Sequence, residues 1–220
     1  IPVQQDQDIK GFSLLELLVV LALIGIVSAV GYPNFSKWKK DRDVRLASEK
    51  IFSLMNKVIT QTQRGQYAYI QIELNFNNDP FKITSKAMTR STFAERLNQK
   101  KALDCGDTLP WDNIKINTYE GDNVALHINK AATVCFSKDA THYEIKGELK
   151  DNPNVTLESK TKKDYIIICS KVIGADKKIK LCPEDQFNTV KKDEPLYLIG
   201  WSRFGNIIKY KWDGSDWKRL

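Results

Sequence analysis

The sequence predicts an α+β fold, one long N-terminal helix followed by a domain of antiparallel strands. Three observations carry this expectation. Residues 11–30, GFSLLELLVVLALIGIVSAV, form an almost unbroken apolar stretch with a single acid, Glu16. From Asn34 to Gln63 the chain turns charged, yet apolar residues keep recurring at three- and four-residue steps. Beyond that point short apolar runs alternate with polar residues and are separated by Gly, Asp and Asn, the pattern of strands and turns.

The helix comes first. From Leu14 to Tyr32 there are 19 residues with one charge. At about 1.5 Å per residue they reach roughly 28 Å, against a bilayer core of roughly 30 Å. A cleavable secretory signal has a shorter apolar region followed by a small-residue cleavage site. Here the helical period simply continues, through Phe35, Trp38, Val44, Leu46, Ile51, Phe52, Leu54, Met55, Val58 and Ile59. The expected helix therefore runs from Phe12 to about Arg64, within a helical segment 12–66. Its part 12–33 is apolar on every side and its second half is amphipathic. Gly25 and Pro33 are its weak points, because glycine lowers helix stability and proline removes a backbone bond. Such a helix cannot pack along its whole length on one small domain. Its apolar half must enter lipid, other copies of itself, or both in turn.

Glu16 is the anomaly in that half. A carboxylate at the centre of a membrane segment costs roughly 2.5–3.5 kcal/mol on insertion scales, so it persists where something compensates it. One compensation is local. Ser13-Leu14-Leu15-Glu16 fits the S-x-x-E capping box, in which Glu16 reaches back to a free amide at the helix start.

Residues 67–220 read as a β-rich domain. Ile70, Ile72, Leu74 and Phe76 alternate with Gln71, Glu73 and Asn75. Further strands are expected at Ile114–Tyr119, Val124–Ile128, Thr133–Phe136, Tyr143–Leu149, Val155–Glu158, Tyr165–Ser170, Lys180–Cys182, Leu196–Trp201 and Ile207–Trp212. Ser91–Ala102 reads as a short helix with Thr92 and Glu95 as a capping box. The four cysteines, Cys105, Cys135, Cys169 and Cys182, all follow the apolar segment, which points to an oxidising compartment and two disulfides. They allow three pairings, of which Cys105–Cys135 with Cys169–Cys182 closes the shorter loops. No C-x-x-C pair occurs and His127 and His142 sit in no ligand spacing, so no metal or cofactor is expected.

The stretch from Gly11 to Val20, GFSLLELLVV, resembles the class III signal of type IV pilins and type II secretion pseudopilins. The glycine, the following Phe12, the acid five positions after the glycine and some twenty apolar residues make up that pattern. Gly25 and Pro33 fall where pilin helices carry their glycine and proline. The resemblance implies the pilin-like fold and a prepilin peptidase that removes residues 1–11 as a leader. Cleavage falls between Gly11 and Phe12, followed by methylation of Phe12. It further implies insertion by one pass in the inner membrane, then assembly with other copies or related pilins into an extracellular pilus or a periplasmic pseudopilus. Glu16 would there meet the terminal ammonium of Phe12 in a neighbouring subunit, giving a buried acid its opposite charge. The leader departs from the usual basic pattern, with only Lys10 against Asp6 and Asp8. The helix-then-strand order looks closest to the minor pilins and H-type pseudopilins.

Charge suggests a second function class. Residues 160–220 hold 14 Lys or Arg against 8 Asp or Glu, so net +6 of the chain's +7 lies there. Arg203, Lys209, Lys211, Lys218 and Arg219 lie among Trp201, Phe204, Tyr210, Trp212 and Trp217, a mixture suited to nucleic-acid phosphates and bases. The plainer expectation puts Ile208, Tyr210 and Trp212 on a core face, the lysines on a solvated face, and a hairpin turn at Asp213-Gly214. Catalysis finds no support, since there is no phosphate-cradling glycine loop, no G-x-S-x-G and no histidine placed to serve a Ser or Cys. Asp213, Ser215 and Asp216 fall short of a calcium ligand set. Asn154-Val155-Thr156 matches a glycosylation sequon.

Overall fold

The computed structural model describes residues 13–75, 80–106, 111–121, 123–127, 132–147, 164–173, 179–180, 182 and 194–220. Two compact units result, residues 1–39 and residues 40–220. The second unit begins inside the long helix, because the amphipathic part of that helix supplies one wall of the β domain's core.

Helix α1 spans Leu14–Gln63. Its end is built by Gly65, whose φ of 70° is the left-handed conformation a side chain resists. Gly65 N–H donates to Thr62 O at 2.9 Å and Gln66 N–H to Gln61 O at 3.0 Å, which satisfies the last carbonyls in the Schellman pattern. Helix α2 spans Arg90–Asn98. Its cap is Thr89, not the expected Thr92: Thr89 leaves the preceding strand with ψ of 165° and its hydroxyl accepts from Thr92 N–H. Three hydroxyls compete at this start, and the one still in extended conformation wins. The helix stops before Ala102, and Lys100 takes φ of 52°.

The strands are β1 (Tyr69–Asn75), β2 (Phe81–Met88), β3 (Asp112–Gly121), β4 (Val124–Leu126), β5 (Ala132–Ser137) and β6 (Tyr143–Gly147), then β7 (Tyr165–Ser170), β8 (Val172–Ile173), β9 (Ile179–Lys180), β10 (Leu196–Trp201), β11 (Ile207–Trp212) and β12 (Trp217–Arg219). They form two antiparallel five-stranded sheets, ordered β3-β2-β1-β5-β6 and β12-β11-β10-β7-β4, plus the small β8-β9 pair. The architecture is α+β, as the sequence predicts. Phe76, Asn154, Val155–Glu158 and Lys160–Lys163 lie outside the described residues.

Both large sheets turn one face to α1. Val44, Ala47, Ile51, Leu54, Met55, Val58 and Ile59 recur every three or four residues along the helix and are buried. They share one core with Ile70, Ile72 and Leu74 of β1, Ile83 of β2, Val134 of β5, Ile166 and Ile168 of β7, and Ile199 of β10. Leu46, Phe35 and Trp38, counted in the sequence pattern, are exposed instead. Strands β7 and β10 are buried on both faces, and so read as continuous apolar runs. A second core lies behind them, around Tyr165, Ile167, Leu198, Tyr210 and Trp212. Behind the first sheet, Tyr69, Met88, Cys105 and Cys135 pack under Phe93 and Trp111. Gln71 is buried on that side, where alternation alone places a solvated residue.

Candidate functional site

The N-terminal part of α1 belongs to the first unit, residues 1–39. Ser13 caps the helix: its hydroxyl accepts from Glu16 N–H at 3.2 Å and its carbonyl from Leu17 N–H at 3.2 Å. This is the forward half of the capping box read in the sequence, and it leaves the Glu16 residue exposed. Eleven large apolar residues between Leu14 and Val27 are exposed, from 46% at Val19 to 84% at Leu14. Burying one such side chain stabilises by about 1.5–3 kcal/mol, so this surface represents on the order of 20 kcal/mol of unrealised burial. An apolar surface this continuous marks an interface with lipid or with protein. At Gly25 and at Gly31 an added Cβ would meet nothing within 4 Å. Glycine inside a helix costs roughly 0.5–1 kcal/mol relative to alanine. No contact within the fold accounts for accepting that cost at either position. Among the described residues no single helix is long and apolar enough to cross a membrane by itself, and only the broken pair Leu14–Ala29 with Asn34–Gln63 meets the length and composition required.

The model of the prokaryotic N-terminal methylation motif matches residues 7–32. The chain carries the class III signal of type IV pilins and pseudopilins. No curated protein and no solved structure matches it. The class III signal implies processing by prepilin peptidase, insertion into a membrane and assembly into a pilin-type filament. It supports a secreted subunit of the pilin or pseudopilin kind. Gly11 and Phe12, between which the sequence reading expects the cut, lie outside the described residues, as does the Pro33 side chain.

Both disulfides follow the sequential pairing, Cys105–Cys135 and Cys169–Cys182, with Cα–Cα distances of 5.7 Å in each. The first pins the segment after α2 onto β5. The second ties Cys182 to β7. No group of three His, Cys, Asp or Glu able to hold a metal ion occurs among the described residues. Asp213 instead organises the hairpin turn: its Oδ1 accepts from Ser215 N–H, the Ser215 hydroxyl and Asp216 N–H at 2.8–2.9 Å. These bonds, the one from Asp216 foremost, hold its carboxyl well below the usual carboxylate range.

The basic C-terminal set divides differently from the sequence expectation. Ile208, Tyr210 and Trp212 do face one side of the sheet, packing in the second core. The opposite side is only partly solvated: Lys209 is covered, while the Lys211 side chain stays 44% exposed. Lys209 pairs across strands with Ile199 and Lys211 with Tyr197, both of which point at α1, and cross-strand partners share a face. Lys209 is therefore 8% exposed, ion-paired to Glu49 and 5.6 Å above the Phe52 ring. Lys211 lies 3.9 Å from Asp41 and 5.7 Å from the Tyr197 ring. Lys218 pairs with Asp213 and Asp216 of its own hairpin. Arg203 Nη2 donates to Ala140 O at 2.7 Å. Arg219 is exposed at the end of β12. These cations are thus not gathered into one surface, and Lys209 and Lys211 serve the packing of β11 on the helix. The sequence signal for this was the pair of acids Asp41 and Glu49, two helical turns apart and flanking the buried apolar stripe rather than lying on it.

Proposed function

We propose that this chain is a structural subunit of a type IV pilus or a related filament, with no catalytic role. It waits in the inner membrane by its apolar helix and is then drawn into an extracellular pilus or periplasmic pseudopilus held by the same surface. The observation that carries this reading is the helix surface from Leu14 to Val27, exposed all round and interrupted only by Glu16. Lipid satisfies the apolar side chains but not the acid. A filament of like subunits satisfies both, if the bond between Gly11 and Phe12 is cut and the ammonium of Phe12 in one copy meets Glu16 of the next. In that packing Gly25, which makes no contact within the fold, allows two helices to approach closely.

The test separates insertion from assembly. Glu16→Leu should leave membrane insertion intact and abolish incorporation into filaments, measured by fractionating sheared filaments from membranes. Normal incorporation of the variant would overturn the pairing. Mass measurement of the mature amino terminus should give N-methyl-Phe12, and a retained Gly11 would sink the scheme.

A further inference from the structure

Where the apolar surface of α1 gives out, the chain reads Tyr32-Pro33-Asn34-Phe35-Ser36-Lys37-Trp38-Lys39-Lys40. Tyr32, Phe35 and Trp38 are between 55% and 76% exposed. They are three of the four exposed aromatic residues among the described ones, and they fall within a span of seven residues. The Phe35 and Trp38 rings lie 5.8 Å apart, one helical turn from each other, and present one continuous surface. Lys37 and Lys39 are exposed beside them. No acid occurs between Glu16 and Asp41. The first acids beyond are engaged elsewhere: Asp41 faces Lys211 at 3.9 Å, and Asp43 Oδ2 accepts from Asn123 Nδ2 at 3.4 Å.

Packing within the fold does not account for these rings, since the buried stripe of α1 begins only at Val44. Clustered aromatic side chains at the end of an apolar helix suit the boundary between hydrocarbon and headgroup, where apolar bodies are covered and polar edges stay wet. The spacing fits that boundary. The stretch from Leu14 to Tyr32 reaches roughly 28 Å against a hydrocarbon core of roughly 30 Å, which puts Tyr32 at its edge. Trp38 lies six residues further, about 9 Å along the axis, and the headgroup layer adds about 5–7 Å on each side. Helical side chains lean toward the amino terminus, here back toward the bilayer, and cover the turn before their own Cα. The Trp38 ring and the two ammonium groups therefore reach headgroup depth.

We propose that Tyr32, Phe35 and Trp38 with Lys37 and Lys39 form a collar that binds anionic phospholipid headgroups where α1 leaves the bilayer. The rings settle at the acyl–headgroup boundary of any lipid. The two ammonium groups select headgroups with net negative charge, by about fivefold for each lysine near an anionic surface. The collar rests on the membrane-inserted form in the proposed function and makes no use of the filament. It fixes how deep the helix sits while the subunit waits. Sixteen residues, about 24 Å, separate Tyr32 from Glu16. A collar at one edge of the hydrocarbon thus leaves Glu16 about 6 Å inside the other edge, within a side chain's reach of headgroups there, which lowers the cost of holding it unpaired.

The test reconstitutes the full chain into vesicles of phosphatidylcholine and phosphatidylglycerol at two to one, with either lipid brominated to quench Trp38. Subtracting the signal of Trp38→Phe removes the other four of the chain's five tryptophans. Resistance to alkaline carbonate extraction reads insertion separately. At low salt, phosphatidylglycerol should compete for the Trp38 site more than tenfold better than phosphatidylcholine, and at half-molar salt less than about threefold better, because the attraction is screened. Lys37→Gln/Lys39→Gln should stay carbonate-resistant and bring the ratio close to one, and Lys39→Gln alone should lower it about fivefold. Tyr32→Ala/Phe35→Ala should shift Trp38 emission to longer wavelength as the ring loses its seat. Equal quenching by the two lipids in the inserted chain, a ratio unchanged in the double lysine variant, or an unshifted emission without the two rings would overturn the collar and leave membrane insertion standing. Extraction of the chain by carbonate would overturn both.

Discussion

The Lys209–Glu49 pair offers the sharpest test of how β11 is seated. The lysine side chain is 10% exposed and the glutamate side chain 50% exposed, so the two partners are not equivalent. Glu49→Gln removes the charge from the wet partner and leaves an ammonium that can reach little water. A charged hydrogen bond in partial burial contributes about 1.5–3 kcal/mol, and breaking a fully buried pair costs about 3–5 kcal/mol. Glu49 is half in solvent and the Phe52 ring retains part of the attraction, so the expected loss is about 2 kcal/mol. Lys209→Met goes the other way. It replaces the buried partner with an apolar chain of similar length and leaves Glu49 free to hydrate, so its cost should stay below about 1 kcal/mol. Urea denaturation of the full chain in detergent, followed by tryptophan fluorescence, reads both values. At this domain size a loss of 2 kcal/mol also lowers Tm by roughly 4–8 °C. Equal losses for the two variants, or a loss under about 0.5 kcal/mol for Glu49→Gln, would refute the argument that the lysine is the stranded partner.

Three further outcomes follow from the same structure. Gly205→Ala should cost about 2–4 kcal/mol by thermal denaturation, because φ is 83° there and the new Cβ would lie 2.4 Å from Ile59 Cγ2. Replacing Cys105 and Cys135 together by serine opens a loop of 30 residues and should cost about 3–4 kcal/mol, with larger near-ultraviolet dichroism changes at Trp111 than at Trp201. Asp139 gives the acid-side prediction: its bond from the Thr141 hydroxyl, reinforced by Thr141 N–H and the Ser137 hydroxyl, outweighs the small desolvation and lowers its carboxyl from 3.8 to about 2. A depressed carboxyl stabilises the fold above its unfolded value and loses that contribution as pH falls from about 3.8 through about 2. Asp139→Asn should therefore flatten the stability–pH curve in that window, and an unchanged curve would count against the turn.

Much of the β domain was legible wherever alternation or a continuous apolar run was strong. Strands β7, β10 and β11 fall at the residues read from the sequence, because each carries large apolar side chains against a core. Strand β2 was not legible. Its inward positions are Phe81, Ile83, Ser85 and Ala87, all buried, and the two small ones fit beneath the helix without registering as hydrophobic. Strand β12 is three residues long and half exposed, too short for any period to show. Gln71 broke the pattern from the other side, being polar yet buried on the sheet face it shares with its cross-strand partner Cys135.

The sequence by itself determined the helix, its cap at Ser13, its apolar surface and the class III signal around Gly11 and Glu16. Each of these is written in neighbouring residues, since a cap, a helical period and a cleavage motif act over one or a few turns. Only the tertiary structure decided what the C-terminal cations do. Whether Lys209 meets water or Glu49 depends on which side of its sheet the helix covers. That Arg90 and Lys138 both come close to Gly65 depends on β2 and β5 pairing on either side of β1, which brings three distant turns to one end of the sheet. Charge has no period and reaches across space, so its partners cannot be read along the chain.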